Sequence, residues 1–167
     1  LYALCVSCHE ADGAGNKALN APRISGQKNW YIARQLESFK AGIRGSHEED
    51  IYGQQMRPMA MTLASEQAVA DVAAYLSTLK GSASSSTVQG DVAAGKAAYA
   101  VCASCHGANG EGNKALNAPT LAGQQDWYIV RQLQNFKKRI RGSDPNDTYG
   151  QQMSPMVMTL VDDAEIN

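Results

Sequence analysis

"CVSCHEADG" at residues 5–13 and "CASCHGANG" at residues 102–110 decide how this chain is read. The chain has four cysteines and three histidines, and these two stretches take all four cysteines and two of the histidines. Each copy is C-x-x-C-H: Cys5, Cys8 and His9, then Cys102, Cys105 and His106. On a helical turn, residues three and four apart share a face, so both sulfurs and the imidazole point at one flat object. That suits covalent haem attachment, in which the thiols add to two vinyl groups as thioethers and the adjacent His ligates the iron. Three other uses of the cysteines fit less well. Structural zinc takes four ligands from spaced pairs, but these pairs lie 97 residues apart and each is closed by its own His. A redox CxxC needs no following His and belongs near a βαβ pattern, which the surroundings do not show. Structural disulfides leave the duplicated His unexplained. The reading is two covalently bound haem c groups.

Composition agrees with that reading. The chain has 167 residues, room for one or two small domains, and a half of about 80 residues makes a thin core by itself. A buried haem supplies the missing apolar mass. Formal net charge is −1. Eight residues of each sign precede Gly81, with seven basic and eight acidic from there on. The only basic cluster is Lys137, Lys138, Arg139 and Arg141. A nucleic-acid binder would carry a net basic face, so that class is excluded. No apolar stretch approaches membrane-spanning length. Covalent haem attachment is completed outside the cytoplasm, which implies export to the periplasm. A leader and some mature residues are therefore expected ahead of Leu1.

Shifted by 97 residues, the chain aligns with itself without a gap, and 41 of the 70 overlapping positions are identical. "GNKALNAP" recurs at 15–22 and 112–119, and "YGQQM" at 52–56 and 149–153. This is a tandem duplication, with too few copies for a solenoid. The small polar run "GSASSST" at 81–87 has the composition of a flexible linker. The expected domains are residues 1–80 and 91–167, joined by a linker at 81–90. Three helical patterns stand out. In "SEQAVADVAAYLSTLK", Ser65 is the expected N-cap, Val69, Val72, Ala73, Leu76 and Leu79 form one stripe, and Gly81 ends the helix. "DVAAGKAAYAVCASCH" runs as a helix into the second motif. In "WYIARQLESFKAGIR", Ile32, Leu36, Phe39 and Ile43 recur at helical spacing up to Gly45, and Ile129, Leu133, Phe136 and Ile140 repeat them. No segment alternates as a strand, so the fold class is all-α. The first unit lacks most of the helix before Cys5, and the second lacks most of the helix matching 65–80.

A haem iron held by one His needs a second ligand or an open position, and that choice separates a carrier from an enzyme. His47 has no copy, because its counterpart is Asp144. It reads as a solvent residue of the acidic run "HEED". The methionines are all duplicated: Met56, Met59 and Met61, then Met153, Met156 and Met158. Methionine is commonly adaptable core filler. Three within six residues, among Gly, Gln and Pro, read instead as a loop that folds across the far face of a haem.

The order of CxxCH, "P-x-[IL]-x-G" (22–26 and 119–123), methionine segment and terminal helix resembles class I c-type cytochromes. Two such units in one chain, each with "G-Q…Y…QL" after the Pro, resemble the dihaem cytochrome c4 family over essentially the whole chain. The resemblance implies two tandem class I cytochrome c domains, each a few helices around one haem. It places the ligand Met seven residues before a Leu that opens the last helix. Leu63 and Leu160 match that Leu, so the iron ligands become His9 with Met56 and His106 with Met153. Met59 and Met156 are the next candidates. It further implies that the carbonyls of Pro22 and Pro119 accept the Nδ1 proton of the ligating His, and that Tyr31 and Tyr128 face a propionate. Where the family often has a basic residue before that Tyr, this chain has Trp30 and Trp127, for which core packing is an equal reading.

By the same resemblance, the chain is expected to carry single electrons from a quinol-oxidising complex toward a terminal oxidase or reductase. Any membrane association would come through those partners. The rivals are a dihaem peroxidase or thiosulfate-oxidising enzyme, and a haem module of a larger oxidoreductase complex.

Overall fold

The computed structural model describes residues 1–83, 85–160 and 166. It divides into two compact units, Leu1–Ser84 and Ser85–Asn167. Unit 1 holds helices α1 (Ala3–His9), α2 (Asn29–Lys40), α3 (Ile51–Met61) and α4 (Glu66–Thr78). Unit 2 holds α5 (Val92–His106), α6 (Asp126–Lys137) and α7 (Thr148–Val157). Among the described residues the only β pairing is two isolated bridges, Asn16 with Ala21 and Asn113 with Ala118.

Helix α4 starts where Ser65 accepts the amide of Ala68 at 3.1 Å, which satisfies one of the donors a helix start leaves open. Its face Val69, Val72, Ala73 and Leu76 is buried, and these side chains form the unit 1 core with Tyr2, Ile32 and Leu63. The helix ends at Thr78, ahead of Gly81, because Leu79 turns extended. Leu79 still packs against the core from outside the helix. In unit 2 the described core is Phe136, Val157, Leu160 and Ile166. The expected shortfall of a helix matching 65–80 falls on residues 161–167, of which only Ile166 is described.

Two expectations need correction. Helix α2 stops at Lys40, before Ile43 and Gly45. Gly42 takes φ +74°, a left-handed conformation that ends a helix and that glycine adopts without steric cost. More consequentially, the methionine segments are helices α3 and α7 rather than loops. Asp50 and Asp147 cap them, accepting the amides of Gly53 at 3.1 Å and Gly150 at 3.0 Å. Pro58 and Pro155 lie inside. Each removes one backbone donor, yet the helix continues because its inner face is buried. That face is Gly53 and Ala60 in α3, with Leu63 buried just beyond its end, and Gly150, Ser154 and Val157 in α7, with Leu160 buried just beyond.

Candidate functional site

Each CxxCH motif ends a helix, α1 or α5. Cys5 and Cys102 are half-buried, Cys8 and Cys105 exposed, and all four thiols are free. Burial pushes the Cys5 and Cys102 thiols up from their ordinary value. His9 and His106 are buried, at 5% and 6% exposure. His9 Nδ1 lies 2.8 Å from the Pro22 carbonyl and His106 Nδ1 lies 2.9 Å from the Pro119 carbonyl. A carbonyl only accepts, so each Nδ1 carries the proton and, in the neutral ring, Nε2 keeps a lone pair for a metal. Burial also pushes the His9 pKa down, against the opposing pull of the Pro22 bond, which favours the neutral form that ligates.

The octapeptide "GNKALNAP" supplies those carbonyls. In unit 1, Asn16 and Ala21 close a loop by exchanging backbone bonds of 2.8 and 3.0 Å, and Asn113 with Ala118 repeat it at 2.8 and 2.9 Å. Asn20 and Asn117 sit at φ +57° inside it, where Asn is tolerated better than most residues. Gly15 has φ +82°, and a Cβ there would stand 2.5 Å from the Pro22 carbonyl carbon. Its amide donates to His9 O at 3.1 Å. Only glycine lets the chain pass so close, and this passage brings Pro22 to His9. Sequence reasoning used the octapeptide as evidence of duplication and missed this role; its intact repetition was the available signal. Also missed was the pair Tyr2 and Tyr99, whose hydroxyls donate to Glu10 O at 2.5 Å and Gly107 O at 2.7 Å. They tie each motif helix to the residue after its His. Burial pushes the Tyr2 hydroxyl up to about 12, so it stays a donor.

Met56 and Met153 lie on the inner faces of α3 and α7, half-buried, and Met153 packs against the unit 2 core. Met59 and Met61 are 38% and 61% exposed, and Met156 and Met158 are 39% and 55% exposed. A helix face, rather than a loop, therefore separates the methionines. Trp30 meets Tyr31 edge-on at 5.8 Å, and Trp127 meets Tyr128 at 5.9 Å. Arg34 lies 5.0 Å from the Trp30 ring centre and 5.4 Å from Tyr31, and Arg131 lies 4.8 Å from Trp127. These distances are within cation–π range. The rings thus form half-buried aromatic–arginine stacks, which fits packing for the tryptophans. His47 is half-buried rather than free in solvent, and its Nδ1 accepts the Glu49 amide at 3.2 Å.

The donor set in each unit fits a covalently held haem: two thiols one helical turn apart, beside an imidazole whose Nε2 is left to a metal by a fixed backbone bond. No helix among the described residues is long and apolar enough to cross a membrane.

Comparison with known proteins points the same way. The cytochrome c family model matches residues 1–80 and 92–167. Cytochrome c4 of Azotobacter vinelandii is 33% identical over 153 residues, covering 85% of this chain and 71% of that protein. The thiosulfate dehydrogenase electron acceptor of Stutzerimonas stutzeri is 32% identical over 157 residues, covering 87% of this chain and 68% of that protein. The crystal structure of reduced recombinant cytochrome c4 from Pseudomonas stutzeri superposes with a TM-score of 0.73. It is 29% identical, over 99% of this chain and 89% of that one.

Proposed function

Since the chain belongs to the dihaem cytochrome c4 family and carries two covalently bound haem c groups, we propose that it is a periplasmic carrier of single electrons. In this reading it connects a quinol-oxidising complex to a terminal oxidase or reductase. Each bound haem supplies a one-electron iron couple. The chain's own residues bind and tune it. Cys5 with Cys8, and Cys102 with Cys105, anchor the macrocycle. His9 and His106 offer Nε2, with ring orientation and basicity set by the Pro22 and Pro119 carbonyls. Met56 and Met153 complete the coordination with a soft neutral sulfur, which favours the ferrous state and raises the potential.

The observation that carries the reading is the near-identity of the two sites. The His–Pro bonds agree within 0.1 Å, and the half-buried methionine holds the same helix position in both. A dihaem peroxidase or thiosulfate-oxidising enzyme requires one iron with an open or labile position, and so a difference between the sites. A second reading concerns only the upstream partner. The relative named as a thiosulfate dehydrogenase electron acceptor supports a thiosulfate-oxidising enzyme as donor in place of the quinol-oxidising complex. The visible spectrum with and without carbon monoxide, together with peroxide and thiosulfate turnover, tests the carrier reading. Two low-spin haems, indifferent to carbon monoxide and without turnover, are expected. Carbon monoxide binding at one haem, or rapid turnover of either substrate by the isolated protein, overturns it.

A further inference from the structure

The run at 81–90 has linker composition, yet Gly81, Ser82 and residues 86–88 are bonded to one unit or the other. On unit 1, Asp12 Oδ2 accepts both the amide of Ser82 at 2.9 Å and its hydroxyl at 2.7 Å. Arg23 donates to the carbonyls of Lys80, of Gly81 and, at 3.2 Å, of Ser82. On unit 2, Asp126 Oδ2 accepts the Ser86 hydroxyl at 2.9 Å and the amides of Thr87 at 2.5 Å and Val88 at 2.8 Å. Its Oδ1 accepts the Thr87 hydroxyl at 2.8 Å.

None of these three residues belongs to the duplicated pattern. Asp12 corresponds to Asn109, Arg23 to Thr120, and Asp126 to Asn29. Asn29 shows what this position does without a linker to hold: its Oδ1 accepts the Trp30 amide at 2.7 Å, as Asp126 Oδ1 accepts that of Trp127 at 2.7 Å. Bonding the next residue's amide needs only an Oδ1. The second carboxylate oxygen of Asp126 serves the linker alone. An amide in its place would present N–H to three N–H and O–H donors. On unit 1, residues 80–82 follow directly from α4 and have no counterpart among the described residues of unit 2.

We propose that Asp12 with Arg23, and Asp126, are linker-binding sites. They grip the connecting segment at Ser82 and at 86–88, so that residues 83–85 alone join the two grips. This converts a ten-residue tether into a three-residue one. A shorter tether raises the effective concentration of each unit at the other, which matters for a carrier whose two haems exchange electrons. That last consequence rests on the two-haem reading; the grips themselves do not.

The test is amide hydrogen exchange in the reduced, diamagnetic holoprotein. Ser82, Thr87 and Val88 should exchange at least tenfold more slowly than unstructured peptide. Asp126→Asn should raise the rates at Thr87 and Val88 tenfold or more while leaving Trp127 protected. Asp12→Asn with Arg23→Thr should do the same at Ser82. Free-peptide rates in the unmodified protein, or unchanged rates in the variants, overturn the grips. Iron-to-iron distance distributions from pulsed electron resonance of the ferric protein then test the tether. The distribution should broaden in the triple variant. An unchanged distribution, in variants whose linker amides have opened, overturns the shortened tether and leaves the haem assignment standing.

Discussion

Units 1 and 2 agree closely at their CxxCH motifs and differ away from them. The thiols, the buried His, its bond to a proline carbonyl and the tyrosine hydroxyl on the motif's far end recur in both. The differences cluster around the methionine helices and the linker. In unit 1, Gly42 leaves room for Arg57, whose Nη2 would stand 3.0 Å from any Cβ at that position. In unit 2 the same two positions are Arg139 and Ser154. Arg139 is held at φ +60°, and Ser154 is buried at 1% exposure with its hydroxyl 3.4 Å from Gly150 O. A guanidinium has moved from the loop in one unit to the methionine helix in the other. Duplication kept the groups proposed to hold the haem and let the surroundings diverge, so the two potentials should be close but separable.

The largest expected effect breaks the equivalence outright. His9→Ala should remove the proximal ligand of unit 1 alone, halving the low-spin absorbance while the unit 2 signal persists. Met56→Ala comes next. It should turn one haem high-spin and lower its potential by on the order of a few hundred millivolts, within the range that axial ligands command. Met59→Ala should leave coordination intact; if it is the variant that becomes high-spin, the ligand lies one helical turn further on.

Gly15→Ala tests the backbone support instead. A Cβ at φ +82° against the Pro22 carbonyl carbon should cost about 1–3 kcal/mol, read as a fall in the denaturation midpoint. It should also loosen the His9–Pro22 bond. Gly112→Ala, whose Cβ would stand 2.7 Å from the Thr120 amide nitrogen, should behave alike.

How much of this was legible beforehand follows from which interactions are local. The CxxCH motifs, the repeat and the α4 stripe are written in adjacent residues, so they read directly. That the Met56 segment is a helix, α3, was not legible. Gly, Gln and Pro are poor evidence for a helix, and the burial of Gly53 and Ala60 that holds it together is a tertiary effect. The capping Asp50 and Asp147 were the local signal, and it was passed over. The linker misled for the opposite reason. Its composition is that of a free chain, while its partners Asp12, Arg23 and Asp126 lie up to 70 residues away.

Smaller effects sharpen the contrast between the units. Arg57→Ser makes unit 1 resemble unit 2 and removes a half-buried positive charge that disfavours ferric iron. It should lower one potential by some tens of millivolts and leave the other unchanged. Acid should act on the linker last. Hydrogen bonds from Ser82 and Ala14 hold the Asp12 carboxyl below the ordinary range. For Asp126, burial pushes upward, but the bonds from Thr87 and Val88 together outweigh it and hold that carboxyl well below. Both folded pKa values are depressed. The grips should therefore be fully formed above the ordinary carboxylate pKa of about 4 and be lost only as pH falls further, through the folded values. The amide shifts of Ser82 and Val88, followed from neutral pH to strong acid, should stay flat before moving.

The central claim is that both irons are held by His and Met alike. Its most direct measurement is the weak sulfur-to-iron charge-transfer band of the ferric protein, scaled to total haem. The account predicts a strength corresponding to two haems, and half that strength in Met56→Ala or Met153→Ala. A band worth only one haem in the unmodified protein would contradict it, because one unit would then lack the sulfur ligand that its twin carries.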